Sequence, residues 1–205
     1  MHSHLTDCGL PGIAQIPFGV HMCNFYRTKE ELAAALVPFF LAGLRGNERC
    51  IWITAEPLPA VDAVAELEAA GLDARAQFER GALVVRDFSD WYAEAGALRG
   101  SQVVDLWIAE ETRALADGYS GLRITGNVTF LRPEEWPLFM EYEALVNKAF
   151  QGRRIVTLCT YWLEQCGSAE MLEVLQHHNG ALERPDEGWQ ILTNRPGLEF
   201  HVNRV

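Results

Sequence analysis

Short apolar runs alternate with helical repeats along most of this chain, and that alternation restricts the fold more than any other feature. Phe18–Cys23 reads as a strand, and Lys29–Leu44 reads as a helix with Leu32, Leu36, Phe39 and Phe40 recurring at helical spacing. Thr28 followed by Glu31 has the capping-box form at the start of that helix, and Gly43 and Gly46 act as stop signals. Pro38 lies inside the pattern and predicts a kink or a break. Cys50–Ala55 is almost wholly apolar and short, as expected of a strand buried on both faces. Glu56-Pro57-Leu58-Pro59 then turns the chain into a helix over Ala60–Ala70, which Gly71 ends. Further strands are predicted at Ala82–Arg86, Leu122–Gly126 and Ile155–Tyr161, and further helices over Ser101–Asp117, Pro133–Phe150 and Ala169–His177. The tail from Ala181 to Val205 is read as a C-terminal hairpin with Trp189–Leu192 as one arm.

Strands separated by helices imply right-handed crossovers and a three-layer α/β fold, a mainly parallel sheet with helices on both faces. A length of 205 residues suits one domain, with a core over about 18–178 and an extension over 179–205. At 49% hydrophobic and 22% charged residues the chain can bury a real core, which excludes global disorder. In such sheets ligands bind outside the carboxyl ends of the strands. The segments to search are therefore Cys23–Arg27, Thr54–Pro57, Asp87–Tyr92, Gly126–Arg132 and Cys159–Gln165.

Several chemistries are missing. The predicted junction between the first strand and helix, Met22-Cys23-Asn24-Phe25-Tyr26-Arg27-Thr28-Lys29, has no glycine, so backbone N–H groups cannot close around phosphates there and ATP is not expected. The dinucleotide fingerprint GxGxxG and the nucleophile elbow GxSxG are absent too. The 17 basic residues against 28 acidic ones give a net charge of −11, which argues against direct contact with nucleic acid. No apolar stretch is long enough for a membrane span, and Met1–Cys8 lacks the basic and apolar regions of a signal peptide. Five cysteines without repeated CxxC spacing do not form a secreted disulfide framework, and a cytoplasmic location is expected.

His21-Met22-Cys23-Asn24-Phe25-Tyr26, then Glu31-Leu32, Pro38-Phe39 and the run Gly43-Leu44-Arg45-Gly46-Asn47-Glu48-Arg49-Cys50 closely resemble the opening of the MEDS family, the sensory domain of methanogen and methylotroph regulators of the DcmR type. The resemblance continues through Gly81-Ala82-Leu83, Gly121-Leu122-Arg123-Ile124-Thr125-Gly126, Glu141-Tyr142-Glu143 and Leu158-Cys159-Thr160-Tyr161, and spans about His21 to His178. It implies a RecA or KaiC-like core that has lost its nucleotide loop and serves as a sensor, with hydrocarbon derivatives as the proposed ligands. Relatives are often joined to a helix-turn-helix or a histidine kinase. No such output domain is read in this chain, so a signal is expected to pass to a separate regulatory protein or another subunit. Where the family pattern has an acidic residue after the glycine that closes the fourth core strand, this chain has Asn127.

Candidate site residues fall into two groups. His21 and Cys23 are one residue apart, which on a strand puts both on one face. With Cys159, and His177 at the end of the late helix beside His178, they offer imidazole and thiolate ligands for a metal or a haem iron. Against this, free cysteine is among the most buried residue types, and a small hydrophobic role for Cys23 and Cys159 is the commoner one. The second group is aromatic: Phe25, Tyr26, Trp91, Tyr92, Phe130 and Tyr161 fall at or beyond predicted strand ends, where they wall a pocket or close the core. Arg27 and Arg123, with Asn127, would fix the polar end of a ligand. Glu141-Tyr142-Glu143 carries little weight as an acid–base pair, because helix residues one or two apart do not face one another and at least one of the two is expected to be exposed. The expectation is a non-catalytic sensory domain that binds an apolar or small organic ligand, with a Cys/His-dependent enzyme or redox protein and a ligand-free scaffold as the alternatives.

Overall fold

The apolar runs become the inner strands of a seven-stranded sheet. The computed structural model describes residues 4–89, 100–129, 131–184, 188–193 and the backbone of 201–202. In chain order the elements are β1 (Leu5–Asp7), β2 (Ile13–Pro17), β3 (His21–Tyr26), α1 (Lys29–Arg45), β4 (Arg49–Thr54), α2 (Ala60–Ala69), α3 (Ala74–Glu79) and β5 (Leu83–Asp87). They continue with α4 (Gly100–Ala116), β6 (Leu122–Asn127), α5 (Trp136–Ala149), β7 (Ile155–Trp162), α6 (Ser168–His177), β8 (Gly180–Glu183), β9 (Gln190–Leu192) and β10 (His201–Val202). The main sheet has the order β5-β4-β6-β7-β3-β8-β9. Every neighbouring pair in it is parallel except β8 and β9, which form the C-terminal hairpin.

The strand order explains which helix covers which face. From β3 the chain steps outward to β4 and then to the edge at β5, and from β6 it steps back through β7 to β8. Crossovers of one hand put their helices on opposite faces when the direction of travel reverses. Accordingly Leu32, Leu36, Phe39 and Phe40 of α1 share a buried cluster with Met22, Tyr26, Cys50, Trp52 and Leu158. On the other face Val103, Val104 and Trp107 of α4 and Val146 of α5 pack with Ile51, Ile53, Leu122, Ile124 and Ile155. A third cluster beside the second joins Cys23, Cys159 and Tyr161 to Met140 of α5 and Val174 of α6.

Helix α1 begins as expected, with the Glu31 N–H donating to the Thr28 hydroxyl at 3.2 Å and the Arg27 N–H donating to the Glu31 carboxylate at 2.7 Å. It differs from expectation at two points. Pro38 neither breaks nor ends the helix, which runs through it to Arg45. Gly43 is not a stop but an interior residue: a Cβ there would lie 2.6 Å from Nε of Arg123 and 2.9 Å from Sγ of Cys50. The helix closes instead at Gly46, whose N–H donates to the Ala42 carbonyl at 2.9 Å.

Arg123 needs that space because it is a fully buried cation rather than a ligand-facing one, which corrects its expected place among the site residues. Its Nε and Nη2 donate to the buried Glu48 carboxylate at 2.6 and 3.0 Å, and its Nη1 and Nη2 donate to the carbonyls of Phe39 and Asp7 at 2.7 Å each. Thr6 also donates to Glu48. This network ties β6 and α1 to the three-stranded antiparallel sheet β1-β2-β10, in which β1 and β2 carried no sequence expectation and β10, from the tail expected as a hairpin, pairs with β2 instead.

Candidate functional site

Pleating decides which side chains meet between β3 and β7. The two strands pair in parallel with His21 opposite Thr157 and Cys23 opposite Cys159, so His21, Cys23, Phe25, Cys159 and Tyr161 share the face covered by α5 and α6. Glu143 reaches down onto that face from α5, and the chain leaving α6 brings His178 in beside it. Nε2 of His21 lies 3.0 Å from Oε2 of Glu143 and 3.3 Å from Sγ of Cys159. Nε2 of His178 lies 3.4 Å from the same carboxylate oxygen, which is 3.9 Å from the Cys159 sulfur. The four side chains are buried, at 0% exposure for His21, 1% for His178, 1% for Glu143 and 6% for Cys159. Among the described residues this is the group of imidazole, thiol and carboxyl donors close enough together to hold a metal ion, with all four donor atoms within 4.8 Å of one another.

A second ring of bonds fixes these side chains. Nδ1 of His178 lies 2.7 Å from the Val174 carbonyl, to which it donates, so the neutral ring presents its lone pair at Nε2. The His21 N–H donates to Oδ1 of Asn179 at 2.8 Å, and the Asn179 N–H donates back to the His21 carbonyl at 2.7 Å. Nδ2 of Asn179 donates to Oδ1 of Asn147 at 2.9 Å, one helical turn along α5 from Glu143. The two imidazole rings lie 3.9 Å apart, and the Tyr161 hydroxyl sits 3.5 Å from Nε2 of His178. Burial dominates the electrostatics: it raises the Glu143 carboxyl and the thiol of Cys159, whose rise the nearby Glu143 charge reinforces, and it pushes His178 down to about 3, helped by His21.

The cluster replaces two members of the expected metal set. Cys23 is on the right face, but its thiol donates to the Gly180 carbonyl at 3.7 Å and stays outside the group. His177 is half-buried in an outer cleft with Glu173 and Gln176, and its neighbour His178 points inward instead. Cys159 is also mid-strand rather than at a strand end, since β7 continues to Trp162. Glu143, Asn147 and Asn179 had no place in the sequence-based set. The signal for Glu143 was its position: with Met140, Val146 and Asn147 it forms the buried stripe of α5.

The strand carboxyl ends hold a different feature, a groove of about 590 Å³ beside β3 and β8. Phe25, Leu163, Met171, Leu175 and Trp189 supply apolar walls, and Arg27 stands on its rim. Its floor continues into the buried cluster beneath, because Phe25 packs on Tyr161 with ring centroids 5.7 Å apart. Tyr26 points to the opposite face and accepts a hydrogen bond from Asn127 at 3.0 Å, so these two residues are not part of the groove. Trp91, Tyr92 and Phe130 lie outside the described residues. Arg27 and Thr28 alone connect β3 to α1, and the Thr28 hydroxyl caps the helix.

Comparison with known proteins agrees with this architecture. The model of the MEDS family, the methanogen/methylotroph DcmR sensory domain, matches residues 20–179. No curated protein matches the sequence. Among solved structures the chain is similar to a KaiC-like protein from the hyperthermophilic archaeon Pyrococcus horikoshii OT3, with a TM-score of 0.62, 15% identity, and 98% of this chain and 92% of that chain covered. It is also similar to the flagellar accessory protein FlaH from Methanocaldococcus jannaschii, with a TM-score of 0.56, 10% identity, and 93% and 92% covered. At these identities the likeness is one of fold, a RecA or KaiC-like core.

Proposed function

The chain belongs to the MEDS family of sensory domains, and from that premise we propose that it senses a small organic molecule, apolar along its body and anionic or strongly polar at one end, bound in the groove beside β3 and β8. The observation that carries this is the groove's composition and place: apolar walls at the carboxyl edge of a parallel sheet, with the Arg27 guanidinium at the rim. Binding transmits a signal only if the ligand prefers one of two conformations, and the partner that reads it is a separate regulatory protein or a second copy of this chain. An enzyme built on Cys159 and a histidine fits less well, since burial holds that thiol protonated and a thiol is a poor nucleophile.

The test is a thermal-shift and calorimetric screen of short-chain alkyl carboxylates and alcohols, with Met171→Trp to fill the groove and Arg27→Ala to remove one of its two cations, Arg184 being the other. The expected result is a concentration-dependent stabilisation by some of these ligands that Met171→Trp abolishes and Arg27→Ala weakens for carboxylates but not for alcohols. Binding that survives Met171→Trp unchanged, or no binding across the series, would sink the assignment.

A further inference from the structure

We propose that His21, Glu143, Cys159 and His178 bind a single divalent transition-metal ion, of the zinc, iron(II) or cobalt(II) class, as a closed four-ligand site between the sheet and helices α5 and α6. Geometry is the first support. A tetrahedral ion with bonds near 2.0 Å to nitrogen or oxygen and 2.3 Å to sulfur sets its nitrogen and oxygen ligands about 3.3 Å apart and its one sulfur about 3.5 Å from each of them. Four of the six separations are 3.0, 3.3, 3.4 and 3.9 Å, which bracket those values, and all six lie within 4.8 Å before any ion has drawn the atoms together.

The direction of the lone pairs is the second support. The bond from Nδ1 of His178 to the Val174 carbonyl leaves Nε2 as an electron-pair donor, and this nitrogen faces a carboxylate oxygen, another donor. Two lone pairs 3.4 Å apart in a buried site need a proton or a cation between them, and a bound cation would satisfy both. A ligand histidine that donates its other N–H to a backbone carbonyl is the usual outer-sphere arrangement, which orients the ring and raises its basicity.

The third support is that the outer bonds join the ligand-bearing elements to one another. Asn179 is bonded to the backbone of His21 and to Asn147 on the Glu143 helix, so β3, α5 and the end of α6 are held in register around the cluster. Ligand type then sets the class of ion. Imidazole and thiolate donors disfavour magnesium and calcium, which take oxygen, and suit borderline divalent ions. As the metal–sulfur bond forms, Cys159 gives its proton to solvent, and the dication, the thiolate and the carboxylate sum to a neutral unit. Four protein ligands leave no coordination position open, so the ion would pin four segments of the fold, β3, α5, β7 and the end of α6, rather than activate water.

The experiment uses untagged protein purified without chelator. Zinc and iron are measured by elemental analysis, and the protein is then stripped and titrated with cobalt(II). The expected result is one metal per chain, intense visible bands of tetrahedral cobalt, and a sulfur-to-cobalt charge-transfer band. Cys159→Ser should remove the charge-transfer band, and Glu143→Gln should weaken binding at least 100-fold, whereas His177→Gln and Cys23→Ala leave the spectrum unchanged. Wild-type protein that takes up no cobalt or zinc overturns the proposal whether or not the variants fold, as does a spectrum with no sulfur band or one that persists in Cys159→Ser. The groove lies outside this group of ligands, so either result leaves the organic-ligand assignment to its own test.

Discussion

Replacing Arg123 by Met should be among the most damaging single changes outside the site, and its size follows from what is left behind. The Glu48 carboxylate, at 0% exposure, would lose both guanidinium bonds, and the carbonyls of Phe39 and Asp7 would lose a donor each. Removing one partner of a buried pair costs about 3–5 kcal/mol, a large part of the roughly 5–15 kcal/mol that holds a domain together. At about 2–4 °C per kcal/mol for a chain of this size, the melting temperature should fall by roughly 6–20 °C. Glu48→Leu alone should cost a similar amount, because it strands the cation. The double variant Arg123→Met/Glu48→Leu removes both charges and should be more stable than either single, yet remain about 1–3 kcal/mol below wild type because the Asp7 and Phe39 carbonyls still lack that donor. Urea denaturation of the four proteins, with unchanged slopes, measures these differences. A double variant whose loss equals the sum of the singles would refute the view that the pair acts as one unit, and an Arg123→Met loss under about 1 kcal/mol would refute the burial penalty itself.

Two further outcomes test the packing around the sheet. Gly43→Ala removes a residue that is poor in helices, a gain of about 1 kcal/mol in an open helix, but its Cβ would press on Arg123 and Cys50, so a net loss of about 1–3 kcal/mol is expected in the same denaturation assay. Of the five cysteines, Cys8, Cys23, Cys50 and Cys159 are buried and Cys166 is part-exposed, so a maleimide applied to folded protein should label Cys166 alone and reach the other four only after unfolding. Peptide mapping of the labelled chain reads this directly, and early labelling of Cys50 would contradict the packing of α1 on β4.

The inner sheet was legible because its strands are buried on both faces and therefore largely apolar, and because the helices between them carry clean stripes. Where the structure departs from the sequence-based expectation, a distant contact overrides a local rule. Pro38 costs α1 one internal bond, but Leu36, Phe39 and Phe40 around it are anchored in the main cluster, and tertiary burial rather than propensity decides whether a helix persists. Gly43 looks like a helix stop only until Arg123, far away in the chain, is known to pass beneath it. Strands β1 and β2 are three and five residues long with no marked alternation, and what holds them is the Arg123 network and pairing with β10 from the far end of the chain. None of these partners can be found from a local window.

The candidate cluster was half legible for a related reason. Alternation along β3 correctly placed His21 and Cys23 on one face, but a shared face does not say which of two thiols lies under the helix that brings the carboxylate. Register decides it: Cys159 sits within reach of Glu143, whereas the Cys23 thiol is turned to the backbone at Gly180. The choice between His177 and His178 turned on where α6 ends, because the helix stops at His177 and the extended residue that follows swings its ring inward. Glu143 was the recoverable miss. Glu141 and Glu143 do not face one another, but Glu143 shares its stripe with Met140, Val146 and Asn147, three and four residues away. An acidic residue on the buried face of an amphipathic helix must meet a cation, a proton or a donor. Here two imidazole rings wait for it on the strand below and at the end of the next helix.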